Sequence, residues 1–175
     1  VSTYTAGDNY LSLGQARAIY RFGLSGITSP KATRRRVVEV LDNTMAEEAR
    51  LISAHYLYLT RDIDLAPYEL QIANELTHIA DENIRMALVG AIGKSNQVEI
   101  GTALLNQLSR EEDYRVKVNI LRGLKNHPFA MYRDSIVPLF SSDNKHIALT
   151  AAQLVEDHAE ANQSTFLFNL LKSPL

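Results

Sequence analysis

Apolar residues along the 175-residue chain recur at three- and four-residue spacing, the pattern of amphipathic helices. Strand signals are poor, and no Asn-Gly or Asp-Gly turn separates alternating runs. Laid against itself, the chain repeats. With a zero position at Arg17, Arg50, Arg85, Lys117 and Ala148, successive units are 33, 35, 32 and 31 residues apart. The residue before zero is Ala16, Ala49, Ile84, Val116 or Ile147, three after it Tyr20, Ser53, Leu88, Ile120 or Ala151, and seven after it Leu24, Leu57, Ile92, Leu124 or Val155. Steps of four put these columns on one helical face, which predicts them as core. The sixth position after zero is Gly23, Tyr56, Ala91, Gly123 or Leu154, a mostly small column suited to close helix approach.

A second helical set alternates with the first: Lys31–Leu41, Tyr68–Ile79, Val98–Leu108, Met131–Phe140 and Thr165–Leu171. Ser29 is placed to cap a helix with Pro30 at its first position. Asp81, Asp143 and Asn162 are further cap candidates, Pro67 sits where a helix should begin, and Gly93 and Asn126 are candidate stops. Pro138 falls inside a predicted helix and should kink it or shift its start. Two helices every 31–35 residues predict one all-α domain over residues 1–175, a stack of about five helix pairs in which each pair needs its neighbours to bury its faces. The chain starts at Val1 without an initiator Met or a signal-like segment, and it reads as a piece of a longer protein.

Asp81-Glu-Asn-Ile-Arg-Met-Ala-Leu-Val-Gly-Ala-Ile-Gly93 resembles the second helix of a HEAT repeat, which commonly reads Asp-x-x-Val-Arg-x-x-Ala-x-x-Ala-Leu-Gly. Glu47-Glu-Ala-Arg50 and Asp113-Tyr-Arg-Val-Lys117 are similar, whereas Ala148 breaks the basic column. The resemblance covers residues 11–172 and implies a right-handed α-α superhelix, the HEAT-like (armadillo-type) solenoid. Ile19-Tyr-Arg-Phe-Gly-Leu-Ser-Gly-Ile27, Ala54-His-Tyr-Leu57 and Arg115-Val-Lys-Val-Asn-Ile-Leu-Arg-Gly-Leu124 further resemble bacterial multidomain proteins that join HEAT repeats to a cyclophilin-type peptidyl-prolyl isomerase domain. That resemblance implies a bacterial cytoplasmic or periplasmic setting, with a catalytic domain in cis that no stretch of this chain resembles.

Composition narrows the function classes. A formal charge of −2 disfavours a nucleic-acid binder, which draws its affinity from a basic field. The chain has no Cys, so disulfides, thiolate metal sites and Cys nucleophiles are excluded. No window approaches 18 uninterrupted apolar residues, and no membrane span is expected. Gly93-Lys94-Ser95 ends like a P-loop, but Leu88 stands where the motif needs Gly and a helix precedes it instead of a strand. Glu75 and His78 have the i, i+3 spacing of a di-iron ligand pair, yet no second pair accompanies them. None of His55, His78, His127, His146 and His158 sits in a metalloprotease or nucleophile motif, and Asn162-Gln-Ser164 is a short glycosylation sequon. No cofactor and no metal are expected.

Arg34-Arg35-Arg36 reads as a solvated face offset by nearby Glu39, Asp42, Glu47 and Glu48. The basic zero column reads as a structural ladder reaching carboxylates or turn carbonyls of its own or adjacent units. The side opposite the predicted core falls near five and eight after zero, where aromatic and basic residues of interface type gather. The expected function is a non-catalytic scaffold docking a protein or peptide in a groove on Phe22, His55, Tyr58, Arg122 and Lys125. Alternatives are the repeat region of a peptidyl-prolyl isomerase and a nucleic-acid-binding HEAT-like protein. A plainer role for Phe22 and Tyr58 is packing between units.

Overall fold

All five helices built on the repeated columns form. They are α1 (Ala6–Leu24), α3 (Glu47–Leu59), α5 (Glu82–Ile92), α7 (Tyr114–Leu124) and α9 (Lys145–His158). The alternating set is α2 (Pro30–Leu41), α4 (Glu69–Glu75), α6 (Val98–Leu108) and α8 (Phe129–Ile136). The structure is a computed structural model that describes residues 6–158, with side chains from 13 to 157. The predicted helix over 165–171, the Asn162 cap and sequon, and the His158 side chain lie outside the described residues. Within them the chain is all-helical, without strands.

The local signals act largely as read. Ser29 Oγ accepts from the Ala32 amide at 3.1 Å, with Pro30 opening α2. Asp81 Oδ1 accepts from Ile84 N at 2.7 Å, and Asp113 Oδ1 from Arg115 N at 2.8 Å. At α9 the cap is Asn144, not Asp143: Asn144 Oδ1 accepts from His146 N at 3.0 Å. Pro138 neither kinks a continuing helix nor shifts its start. With no N–H to donate, it ends the α-helix at Ile136, and a 3-10 turn (Val137–Ser141) follows. The predicted 68–79 helix likewise tightens into a 3-10 turn over Leu76–His78 after α4. At the end of α1, Gly26 takes φ +78°, Gly26 N donates to Gly23 O and Ile27 N to Phe22 O. This is a Schellman stop, and it needs a residue without Cβ.

Two compact units divide the described chain after Ile92. In the N-terminal unit α3 packs between α1 and α5, α2 lies on α3, and α4 on α5. In the C-terminal unit α6 packs on α7, α7 on α9, and α8 with its 3-10 turn on α9. Sequence neighbours therefore pack in the alternation a helical repeat requires. The column before zero is buried throughout, and so are Leu57, Leu88, Ile92, Ile120, Leu124, Ala151 and Val155. Each buried Leu, Ile or Val contributes roughly 1.5–3 kcal/mol of burial.

Two predicted core residues differ, both in α1. Tyr20 is half-buried and Leu24 is 47% exposed. The inward stripe of α1 turns instead toward Gly23, where a Cβ would stand 2.6 Å from both Tyr56 Cε2 and Thr60 Oγ1. The Tyr56 ring fills the space a larger residue would claim. All five residues of that sixth column are buried, so it belongs to the core, bulky Tyr56 and Leu154 included.

The Arg34-Arg35-Arg36 run is not wholly a solvated face. Arg36 is fully buried between α2 and α3, donating from Nη2 to Glu39 Oε1 at 2.7 Å, while its Nε and Nη1 are buried with no bond among the described residues. The same carboxylate accepts from Arg35 Nε at 2.9 Å and from Ser53 Oγ at 3.0 Å. Glu39, three residues past Arg36 and four past Arg35, is what admits the guanidinium to the interior.

Candidate protein-binding grooves

Adjacent helices of the repeated-column set leave an open groove in each unit. In the N-terminal unit, α1 and α3 enclose about 470 Å³ lined by Arg17, Tyr20, Arg21, Glu48, Leu51, Ile52 and His55. Tyr20, Leu51, Ile52 and His55 are half-buried and form the floor, while Arg17, Arg21 and Glu48 are exposed on the rim. Arg17 Nη2 donates to Glu48 Oε1, tying α1 to α3. The Tyr20 and His55 rings stand 6.5 Å apart across the groove at 34°. Burial lowers the His55 pKa below the ordinary imidazole value, because the charged form loses water.

In the C-terminal unit, α7 and α9 enclose about 270 Å³ lined mainly by Arg122, Lys125, Thr150, Gln153 and Asp157 above buried Leu121 and Leu154. Arg122, in the last turn of α7, and Lys125, which follows the helix as its C-cap, are exposed and three residues apart. Behind this groove Tyr132 is fully buried, and its pKa is pushed up to about 12 by desolvation and then by the nearby Asp157 charge. Further along the same helices, Tyr114 stacks on His146 at 5.8 Å.

The predicted site residues thus fall into two groups. His55 lines the first groove, and Arg122 and Lys125 line the second. Phe22 is 55% exposed on α1 outside the groove lining. Tyr58 is half-buried with its ring over Gly90, where a Cβ would lie 2.5 Å from Tyr58 Cε2. It therefore packs α3 against α5 in the manner of the plainer reading. Arg21, Leu51 and Ile52 also line the groove without standing in the outward columns, and Tyr20, expected in the core, forms part of its floor. A groove between two helices is walled by their flanks as well as by the outermost residues. Leu51, one after zero, lies on the outward side at about 100° per residue, and Arg21 and Ile52 lie on its flanks. That periodicity was the available signal.

The basic column behaves as a ladder in the N-terminal unit. Arg50 Nε donates to Val40 O at 3.0 Å, and Arg85 Nη1 to Ile79 O at 2.9 Å and Ala80 O at 2.6 Å. Each guanidinium grips the chain just ahead of its own helix. Among the described residues Lys117 makes no such bond, and Ala148 has no donor to offer.

The remaining motifs have structural surroundings. His78 Nδ1 and Glu75 Oε2 lie 3.3 Å apart on an exposed edge, and no group of three or more His, Asp and Glu suited to a metal ion occurs among the described residues. Gly93 follows the end of α5, and its carbonyl accepts from Asn126 Nδ2 at 2.7 Å. His127 is buried, and its ring lies against Gly101, where a Cβ would be 2.7 Å from Nδ1. Among the described residues neither of its ring nitrogens has a bond, and desolvation lowers its pKa. Among the described residues no helix is long and apolar enough to cross a membrane. No protein-family model, curated protein or solved structure matches the chain, so its all-helical fold, compatible with a helical repeat, stands on the packing described above.

Proposed function

We propose that the chain is a non-catalytic helical-repeat scaffold that docks a protein or peptide through the grooves between adjacent helices of the repeated-column set, α1 with α3 and α7 with α9. The observation that carries this reading is the α1–α3 groove, about 470 Å³ with an accessible floor of Tyr20, Leu51 and Ile52 inside a charged rim. An apolar floor supplies affinity and a charged rim supplies orientation, the division of labour of protein interfaces. The HEAT-like assignment is supported by the alternating packing and by the Arg50 and Arg85 bonds to preceding carbonyls. An association with a peptidyl-prolyl isomerase domain has only the resemblance behind it.

The test is selection of a random-peptide display library on the purified chain, followed by affinity measurement against Ile52→Asp. That substitution puts a charge in the floor at a half-buried position of α3. Selected peptides should bind the substituted chain at least tenfold more weakly, with helicity unchanged by circular dichroism. Peptides that bind both forms equally would move the site elsewhere. A chain that by itself accelerated isomerisation of a proline peptide would overturn the non-catalytic part.

A further inference from the structure

We infer that the occupant of the α1–α3 groove is an acidic, apolar-anchored segment of a partner protein, with Arg21 receiving its carboxylate. The inference rests on the peptide-docking reading above and adds the chemistry of the ligand.

Charge complementarity carries it. The groove is lined by two guanidiniums, Arg17 and Arg21, and one carboxylate, Glu48. Glu48 is already engaged by Arg17 across the groove. Arg21, one turn further along α1, is exposed and has no ion pair among the described residues. His55 adds no charge near neutral pH, because burial lowers its pKa. The groove therefore carries one uncompensated positive charge in a chain whose formal net charge is −2. A planar guanidinium favours a carboxylate in fork geometry, and Arg17 held against Glu48 leaves Arg21 to make that contact.

The floor sets the rest of the ligand. Leu51, Ile52 and Tyr20 offer apolar surface next to Arg21. A partner helix carrying an acidic residue three or four positions from a Leu-, Met- or Phe-type anchor presents both groups on one face. A nucleic acid fits less well. A phosphate backbone gains little from aliphatic floor residues, and one free Arg replaces about one counterion, far short of a phosphate-tracking stripe.

The experiment is a pair of display selections, on the chain as it stands and on Arg21→Glu, with a single-stranded oligonucleotide of mixed sequence as a separate probe. The unaltered chain should enrich peptides with Asp or Glu three or four residues from an apolar anchor. Arg21→Glu should bind those peptides about three- to tenfold more weakly and enrich Lys or Arg in their place. The difference should shrink at high salt. Enriched peptides that lose affinity with Ile52→Asp but show no acidic bias and ignore Arg21→Glu would overturn the charge assignment and leave the groove reading intact. Enrichment of nothing sensitive to Ile52→Asp would overturn both. Oligonucleotide binding that depends on Arg21 and competes with the peptides would assign the groove to the wrong class of ligand.

Discussion

Glu39 is the acceptor that keeps a guanidinium inside the N-terminal unit, and its removal is the most demanding test of the packing. Arg36 has no solvent exposure and donates its one side-chain bond to Glu39 at 2.7 Å. Glu39→Ala would leave that positive charge buried without a counter-charge, and release Arg35 and Ser53 from the same carboxylate. Breaking a buried ion pair from one side costs about 3–5 kcal/mol. A unit of this size is stable by roughly 5–14 kcal/mol, at about 0.05–0.15 kcal/mol per residue, so the loss is about a fifth of the total or more. Urea unfolding followed by circular dichroism should show it as a midpoint lowered by roughly 2 M, given m-values of about 1–3 kcal/mol/M. The companion variant Arg36→Met with Glu39→Leu removes both charges and keeps apolar volume, so it should recover most of the loss. A Glu39→Ala cost below about 1 kcal/mol, or a double variant less stable than the single one, would refute the buried-pair account.

Other outcomes follow from particular contacts. His127 is buried with a lowered pKa, so the unfolded chain binds a proton at a higher pH than the folded one. Stability should therefore fall as pH drops below about 6.5, with a limiting slope of about 1.4 kcal/mol per pH unit for one proton, and His127→Gln should flatten thermal melts compared between pH 7.5 and 5. His55, shifted the same way, adds a pH dependence of the same sign. Gly123→Ala would push a Cβ to 2.9 Å from the Gly93 Cα and 3.1 Å from Leu104 Cδ1, and should lower stability by about 1–3 kcal/mol because backbone cannot move aside as a side chain does. Gly14→Ala, whose Cβ would meet nothing within 4 Å among the described residues, should raise stability by up to about 1 kcal/mol in the same denaturation assay. Asp113→Ala removes a cap that receives Arg115 N and Val116 N and should cost about 1 kcal/mol. The Asp113 pKa is held down chiefly by its hydrogen bond from the Arg115 side chain, so that stabilisation should be fully present above the ordinary carboxylate range and be lost as pH falls from there through the lowered pKa.

Much of the helical layout was legible because it is written in periodicity, which acts locally. Ser29-Pro30, Asp81 and Asp113 fix helix starts through bonds to amides within three residues, and those signals do not depend on the rest of the fold. What escaped was set by neighbours distant in sequence. Leu24 looked like core, but the α1 register is decided by how Gly23 meets Tyr56 and Thr60. Arg36 looked like surface, but Glu39 and the α3 packing draw it inside. For the grooves, the outward direction found His55, Arg122 and Lys125, and the flanking positions that complete the walls required knowing which helix stands beside which.

The guanidinium grips of Arg50 and Arg85 bear on how freely the connecting segments can change. Arg50 holds the Val40 carbonyl ahead of one connection, and Arg85 holds the Ile79 and Ala80 carbonyls in another. The two connections differ in length and composition, yet in both the elbow is latched by a side chain projecting from the following helix onto backbone oxygens. Because every residue type supplies such an oxygen, the latch makes no demand on which residues form the elbow. Exchanges at Asn43, Thr44 or Met45 should therefore be absorbed without altering how the helices are paired, leaving these turns free to diversify while the stack stays the same.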